Sequence, residues 1–160
     1  SDVVAQMGLI GSGSIEVFSD SPVLASSRTY NTGDDGTYGL FLDGVPAREA
    51  ATEGDTIWLP QLRHDGTFRT NIGLVNSGHV EARVHILLYD RSGAELASRW
   101  RTIEPGGWVQ LQEAFARLAG RTDIGAGYAR IEISRGDSVI AFASIIDNAT
   151  NDGTAISMKR

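Results

Sequence analysis

The chain nearly repeats itself after an offset of 116 residues. Residues 11–31 read GSGSIEVFSDSPVLASSRTYN, and residues 127–147 read GYARIEISRGDSVIAFASIID. The ungapped alignment matches Gly11 with Gly127, Ile15 with Ile131, Glu16 with Glu132, Val23 with Val139 and Ala25 with Ala141. Since a period near 116 residues suits one β-sandwich domain, the sequence predicts one complete repeat preceded by the end of another.

This repetition divides the chain into three parts. Residues 1–42 are the closing strands of a preceding repeat or extra strands of the same sandwich, 43–54 a linker, and 55–160 a complete β-sandwich repeat. The first part leaves apolar strand positions uncovered, so Ile15, Val17 and Leu24 are candidate interface residues. We expect these strands either to add to the edge of the complete repeat or to pair with another chain by strand exchange.

Alternation of apolar and polar residues predicts strands along most of the chain. The predicted strands are residues 14–19, 22–30, 36–42, 55–60, 67–76, 80–90, 95–103, 108–111, 128–134, 138–147 and 154–158. Residues 128–134 and 138–147 are expected to form a hairpin, and the second is expected to be central because both its faces are apolar. A short helix is predicted at residues 112–118, ended by Gly120. The pattern therefore predicts an all-β, immunoglobulin-like antiparallel β-sandwich with one short helix.

Composition argues against several classes of function. The net charge is −6, and no cluster of basic residues compensates for it, so binding to nucleic acid is not expected. Cysteine is absent, which excludes disulfides, thiolate catalysis and cysteine-based zinc sites. No apolar run reaches membrane-spanning length, so membrane insertion is not expected either.

Four motifs carry a resemblance to a known family. They are SRTYN…GTYG (residues 27–39), FRTNIGLVN (68–76), LYDRSG (88–93) and EPGGWVQL (104–111). Together they resemble the immunoglobulin-like repeats found in tandem in large secreted bacterial proteins. The resemblance implies a non-catalytic, extracytoplasmic module, located outside the cell, at its surface or in the periplasm. It carries no catalytic or cofactor-binding residues over to this chain.

The histidines do not form a recognisable catalytic or metal-binding pattern. His64 and His79 are predicted at turns and His85 on the polar face of a strand, and all three are expected to be exposed to solvent. No Gly-x-Ser-x-Gly elbow accompanies them. We therefore predict that the chain is not an enzyme.

Two acidic turns occupy equivalent positions in the repeat. Asp34 and Asp35 lie in the first, and Asp147 and Asp152 in the second. Their density of oxygen ligands would suit Ca²⁺, but the same residues are common in ordinary turns, where positive φ is tolerated. The expectation is that no cofactor is needed, with Ca²⁺ as the alternative at these aspartates.

Aromatic residues offer a candidate ligand-binding platform made of Tyr89, Trp100 and Trp108. The competing interpretation, which we favour, is that the tryptophans fill the core and ends of the sandwich. The leading functional prediction is a structural or interaction module that acts in spacing, adhesion or assembly, with neighbouring repeats or another protein chain as partners. The alternative is a carbohydrate- or protein-binding accessory domain of a secreted hydrolase.

Overall fold

The computed structural model describes residues 3–8, 10, 13–33 and 36–160. Strands dominate this part of the chain, and the only helical elements in it are α1 (Val3–Gln6), a 3-10 helix (Ala47–Glu49) and α2 (Ala114–Ala119). The strands are β1 (Ser26–Gly33), β2 (Gly36–Asp43), β3 (Thr56–His64), β4 (Phe68–Asn76), β5 (Ala82–Asp90), β6 (Glu95–Ile103), β7 (Trp108–Leu111), β8 (Ile124–Arg135), β9 (Val139–Asp147) and β10 (Gly153–Ser157). The predicted all-β class is confirmed.

Two four-stranded antiparallel sheets form the sandwich. One has the order β10-β9-β4-β7 and the other β3-β8-β5-β6. Alternate side chains of both sheets point inward and form the core, which includes Ile57, Leu59, Ile72, Leu74, Val84, Ile86, Leu88, Phe115, Ile131 and Val139. Burial of this apolar surface is the main favourable contribution to folding.

The predicted hairpin of residues 128–134 and 138–147 is wrong. Strand β8 pairs with β3 and β5, whereas β9 pairs with β4 and β10 in the opposite sheet. The chain crosses between the sheets at Gly136, where φ is +138°. A short turn alone therefore does not decide strand partners, because both strands also have an apolar face that must reach the core. The expectation that residues 138–147 lie centrally is confirmed.

The predicted linker at 43–54 is partly wrong, because the sandwich already begins at Ala50. Ala50 and Ala51 are buried, and Ala51 exchanges backbone hydrogen bonds of 2.8 Å with Val139 in both directions. The C-terminus closes over this region, where Arg160 donates to the Ala50 carbonyl at 3.0 Å and to Asp55 Oδ2 at 2.6 Å. These contacts join the first residues of the sandwich in the sequence to its last residues.

The predicted short helix is present as α2. Phe115 anchors it in the core and Leu118 packs against the core. Gly120 ends it with φ +63°, and two hydrogen bonds close the end: Gly120 N–H to the Ala116 carbonyl and Arg121 N–H to the Phe115 carbonyl. This is the left-handed glycine termination common at helix C-termini.

The N-terminal part forms one isolated hairpin. Strands β1 and β2 pair in register from Ser26 opposite Asp43 to Gly33 opposite Gly36. The predicted strand at residues 14–19 is wrong, because residues 13–25 make no strand pairing. The strand predicted at 22–30 begins only at Ser26. We call residues 13–33 and 36–43 the N-terminal segment.

Candidate functional site

The predicted interface residues lie in the N-terminal segment with their side chains in solvent. Ile15 and Val17 are each 57% exposed, and Leu24 is fully exposed. Sequence reasoning missed Phe18, which is also strongly exposed. Its position in an apolar, alternating stretch was the signal that could have identified it. The segment therefore presents several apolar side chains to solvent.

The hairpin touches the sandwich at one place. Strand β2 lies against β10, and Gly39 N–H donates to Asp152 Oδ1 at 2.9 Å. Leu40 packs next to Gly153, where an added β-carbon would lie 3.2 Å from it. The contact is made without strand pairing, so the expected addition to the sheet edge does not form within the described residues. On the hairpin's other face, Tyr30 and Phe41 are about half exposed.

The predicted aromatic platform is split between the two sheets. Tyr89 and Trp100 lie on the outer face of the sheet β3-β8-β5-β6, whereas Trp108 lies on β7 opposite Val75 in the other sheet. The three residues therefore do not form one surface. The favoured core position is also wrong for Trp100 and Trp58, which are 46% and 39% exposed.

A larger aromatic surface replaces this platform. We call it the aromatic–arginine surface, and it comprises Trp58, Arg83, His85, Tyr89, Trp100, Tyr128 and Arg130 on the outer face of one sheet. At one end the Arg83 guanidinium lies 4.6 Å from the Trp100 ring centroid, and Trp100 stacks on His85 at 4.4 Å. Cross-strand pairs hold these rings, since Trp100 lies directly opposite His85.

Arg130 lies between the aromatic rings at the other end of the aromatic–arginine surface. Its guanidinium lies 5.9 Å from the Trp58 ring and 5.5 Å from the Tyr89 ring, and Tyr89 stacks on Tyr128 at 4.8 Å. Arg130 Nε is buried and has no hydrogen-bond partner among the described residues, which is compatible with its position over aromatic faces. Burial raises the pKa of Tyr89 above its usual range. The surface is therefore ordered, with two tryptophans partly open to solvent.

Of the two aspartates of the second acidic turn, one stabilises the turn itself and the other binds the hairpin to the sandwich. Asp147 Oδ1 accepts hydrogen bonds from the backbone N–H groups of Ala149 and Thr150, which hold the pKa of its carboxyl below the usual value. Asp152 accepts the bond from Gly39. Asp34 and Asp35 lie outside the described residues. Among the residues that are described, no three His, Cys, Asp or Glu side chains group as metal ligands.

The prediction that His64 is exposed to solvent is wrong. This histidine is 5% exposed at the end of β3, and its Nδ1 accepts a hydrogen bond of 3.3 Å from Thr70 N–H. Burial lowers its pKa, although the charges of Glu113 and Asp65 act in the opposite direction. A cleft of about 600 Å³ lies beside it. His79 is exposed as expected, and His85 is stacked on Trp100 on the outer face.

Arg69 lines the same cleft and orders its rim. The guanidinium donates to Asn148 Oδ1 at 2.9 Å and to Asn151 Oδ1 at 2.7 Å. These bonds join β4 to the turn between β9 and β10, which also carries Asp147. The polar groups at the rim of the cleft therefore connect strand β4 to this turn.

Comparisons with known proteins show the fold alone. No family model and no curated protein sequence matches the chain. The crystal structure of Thermotoga maritima 1070 is similar, with 14% identity, a TM-score of 0.51, and coverage of 68% of this chain and 93% of that one. The Anabaena sensory rhodopsin transducer matches at 13% identity and a TM-score of 0.42 over 57% of this chain and 95% of that one. No helix in the described part of the chain has the length and apolar character needed to cross a membrane.

Proposed function

We propose that the chain is a non-catalytic assembly module whose N-terminal segment binds a second copy of the chain. The observation that carries this proposal is the exposure of five apolar side chains in residues 15–24, beside a hairpin that has an unpaired edge within the described residues; they are Ile15, Val17, Phe18, Val23 and Leu24. Exposed apolar side chains grouped in one segment commonly mark an interaction site. Association would remove these side chains from water.

The repeat alignment indicates what kind of partner suits the segment. Ile15, Val17 and Val23 align with Ile131, Ile133 and Val139, which are all buried in the core. In the sandwich, β8 and β9 pair with neighbouring strands of the same chain, and the facing sheet covers their inward side chains. A segment with the same side-chain spacing fits best against strands of the same kind, and a second copy supplies them.

The free edge of β1 supplies the contact in this proposal. Within the described residues, β1 pairs with β2 on one side and has no strand on the other. Its counterpart β9 pairs with a strand on each side. Antiparallel pairing of β1 with β1 of a second copy would produce a four-stranded, two-fold symmetric sheet. Such a sheet is more stable than an isolated hairpin, especially with residues 15–24 packed across it.

The cellular setting that we propose is extracytoplasmic, in a secreted or surface-attached bacterial protein. It is supported by the resemblance of the four sequence motifs to tandem repeats of that kind. In such a setting, association through the N-terminal segment would link modules in spacing, adhesion or assembly. The proposed activity needs no cofactor, because it depends on apolar contact and backbone pairing alone.

Hydrogen exchange at several protein concentrations tests this function. The backbone N–H groups of β1 should become more protected as the concentration rises, because the second copy covers the free edge. Thr32→Pro removes one N–H that points to the free edge of β1 and should abolish the added protection, whereas Thr102→Pro in the edge strand β6 serves as the matched control. Protection of β1 that does not change with concentration would refute the proposal.

The aromatic–arginine surface favours a second candidate function, the binding of carbohydrate or of another protein. Tryptophan, tyrosine and arginine are the residues that most often dominate binding energy at interfaces. Titration with cellulose, chitin and β-1,3-glucan oligosaccharides, followed by tryptophan fluorescence, tests the carbohydrate form. A saturable change that Trp100→Ala removes and Trp108→Phe retains would support it. An equal fluorescence change in both variants would exclude the aromatic–arginine surface as the binding site.

A further inference from the structure

A small cationic cavity lies between the edge strands β6 and β7 and helix α2. Its volume is about 230 Å³. It is lined by Arg99, Arg101, Gln110, Leu111, Gln112, Arg117 and Leu118. The residues that line this space therefore include three arginines, two glutamines and two leucines. Guanidinium groups only donate hydrogen bonds, so donors outnumber acceptors among these side chains.

The fold brings the three arginines together from two elements. Arg99 lies opposite Ile86 and Arg101 opposite Val84, so both occupy the same face of β6 two residues apart. Because β6 is the outermost strand of its sheet, its long side chains extend beyond the core. Helix α2 packs against β6 and carries Arg117 to the same space.

The positive charge of this cavity is largely uncompensated. Arg117 has one carboxylate neighbour, Glu113, at 3.9 Å on the surface. Within the described residues, Arg99 and Arg101 have no carboxylate at ion-pair distance, and Arg101 donates to the Trp100 carbonyl at 3.2 Å. Burial, with the charge of Arg99 as the second cause, lowers the pKa of Arg101. Three clustered cations are unusual in a chain whose net charge is −6.

We propose that this cavity binds a multivalent oxyanion, either free phosphate or sulfate or the same group carried on a larger molecule. Charge-assisted hydrogen bonds from several guanidinium groups suit a tetrahedral anion with two or more negative charges. The cavity is smaller than typical sites for drug-sized ligands, which span about 300–1,000 Å³. It therefore fits an anionic group better than an extended molecule. This inference is independent of association through the N-terminal segment.

Calorimetric and NMR titration of the whole chain with sodium sulfate and sodium phosphate tests the proposal. Sodium chloride at matched ionic strength measures general screening. We expect saturable binding of sulfate and phosphate, with shifts of the Arg99 and Arg101 side-chain Nε signals. The double variant Arg99→Gln, Arg101→Gln should bind at least about tenfold more weakly, since each charge-assisted hydrogen bond contributes more than 1.4 kcal/mol.

Arg48→Gln is the matched control, because Arg48 is exposed on the 3-10 helix and the variant loses the same type of charge. It should bind sulfate as the native chain does. Retained circular dichroism of the double variant would show that lost binding is not caused by unfolding. Equal responses to sulfate and chloride, or an equal loss of affinity in Arg48→Gln, would overturn the proposal. Acetate binding as tight as sulfate binding would overturn its assignment to multivalent anions.

Discussion

Residues 13–31 and 129–147 share several apolar positions in the repeat alignment but place them in opposite environments. Ile131 is fully buried in β8, whereas its counterpart Ile15 is 57% exposed. Val139 is likewise buried in β9, whereas Val23 lies in solvent. The hairpin that follows is similar in both regions, because β1 and β2 occupy the positions of β9 and β10 in the alignment. At these aligned apolar positions the two regions therefore differ in their surroundings more than in their side chains.

This difference shows that the strands around a segment, and not its alternating pattern alone, determine whether its apolar side chains are buried. Strand β8 lies between β3 and β5, and β9 between β10 and β4. The N-terminal segment has a strand partner only where β1 meets β2. An isolated two-stranded hairpin is marginally stable in water, so a segment with this pattern gains stability when another strand covers it. The predictions below test this contrast.

The largest contrast is expected between Ile131→Ala and Ile15→Ala. The first leaves a cavity in the core and should lower the free energy of unfolding by about 2–5 kcal/mol. The second removes an exposed side chain and should change the stability of the dilute chain by less than about 0.5 kcal/mol. Urea unfolding at low protein concentration measures both. Similar losses in the two variants would show that the N-terminal segment is packed like the sandwich.

Two glycines provide a second matched pair. A β-carbon at Gly127 would lie 2.6 Å from the Tyr89 carbonyl oxygen, and one at Gly39 would lie 2.1 Å from the Thr29 carbonyl oxygen. Gly127→Ala should lower the stability of the sandwich by about 1–3 kcal/mol. Gly39→Ala should open the β1–β2 hairpin and weaken association, with the unfolding midpoint of the sandwich unchanged. Thermal unfolding combined with hydrogen exchange separates these effects, and a lower midpoint in Gly39→Ala would contradict the expectation.

The free energy of unfolding of the sandwich should depend on pH because of His64. Burial lowers the pKa of His64 below the ordinary value of 6.5, so the unfolded chain binds this proton more readily than the folded chain. The free energy of unfolding should therefore decrease as the pH falls below about 6.5, by at most about 1.4 kcal/mol per pH unit. Urea unfolding between pH 7.5 and about 5 measures the slope, above the range where the aspartates titrate. His64→Asn should flatten it, and a slope that is the same in His64→Asn as in the native chain would exclude His64 as the cause.

The smallest effect is expected at the contact between hairpin and sandwich. Asp152→Ala removes the acceptor of the Gly39 hydrogen bond and should weaken the docking of β2 by about 0.5–1.5 kcal/mol, without lowering global stability. Asp152→Asn keeps an acceptor oxygen and should retain the contact. Faster hydrogen exchange at Gly39 in the alanine variant alone would confirm this assignment. Equal exchange in the native chain and both variants would show that the bond contributes nothing.

Much of the sandwich could be predicted from alternation, and its exceptions have local physical causes. Ile57 and Leu59 alternate with the exposed Trp58 and point inward, but a bulge at Gln61, with φ +58°, shifts the pattern by one residue. Leu62 and His64 therefore point inward instead, which is why His64 is buried. A bulge leaves little trace in the sequence of one strand, because it depends on how the partner strand is paired.

The surfaces were less predictable than the fold. The repeat alignment identified Ile15, Val17 and Leu24 as candidate interface residues and predicted that strand pairing would cover them, whereas the structure leaves them exposed. The aromatic–arginine surface and the arginine cavity did not, because each joins residues far apart in sequence. Arg101 and Arg117, for example, meet only through the packing of α2 against β6. Such groupings require the strand order, which the sequence left open.

The solution mass of the chain, measured by light scattering over a range of concentrations, tests the proposed assembly function most directly. We predict a rise from 17.1 kDa toward twice that mass as the concentration increases. The triple variant Ile15→Ser, Val17→Ser, Leu24→Ser should remain at 17.1 kDa throughout. A native chain that stays at 17.1 kDa at every concentration, or a triple variant that associates as the native chain does, would contradict the account.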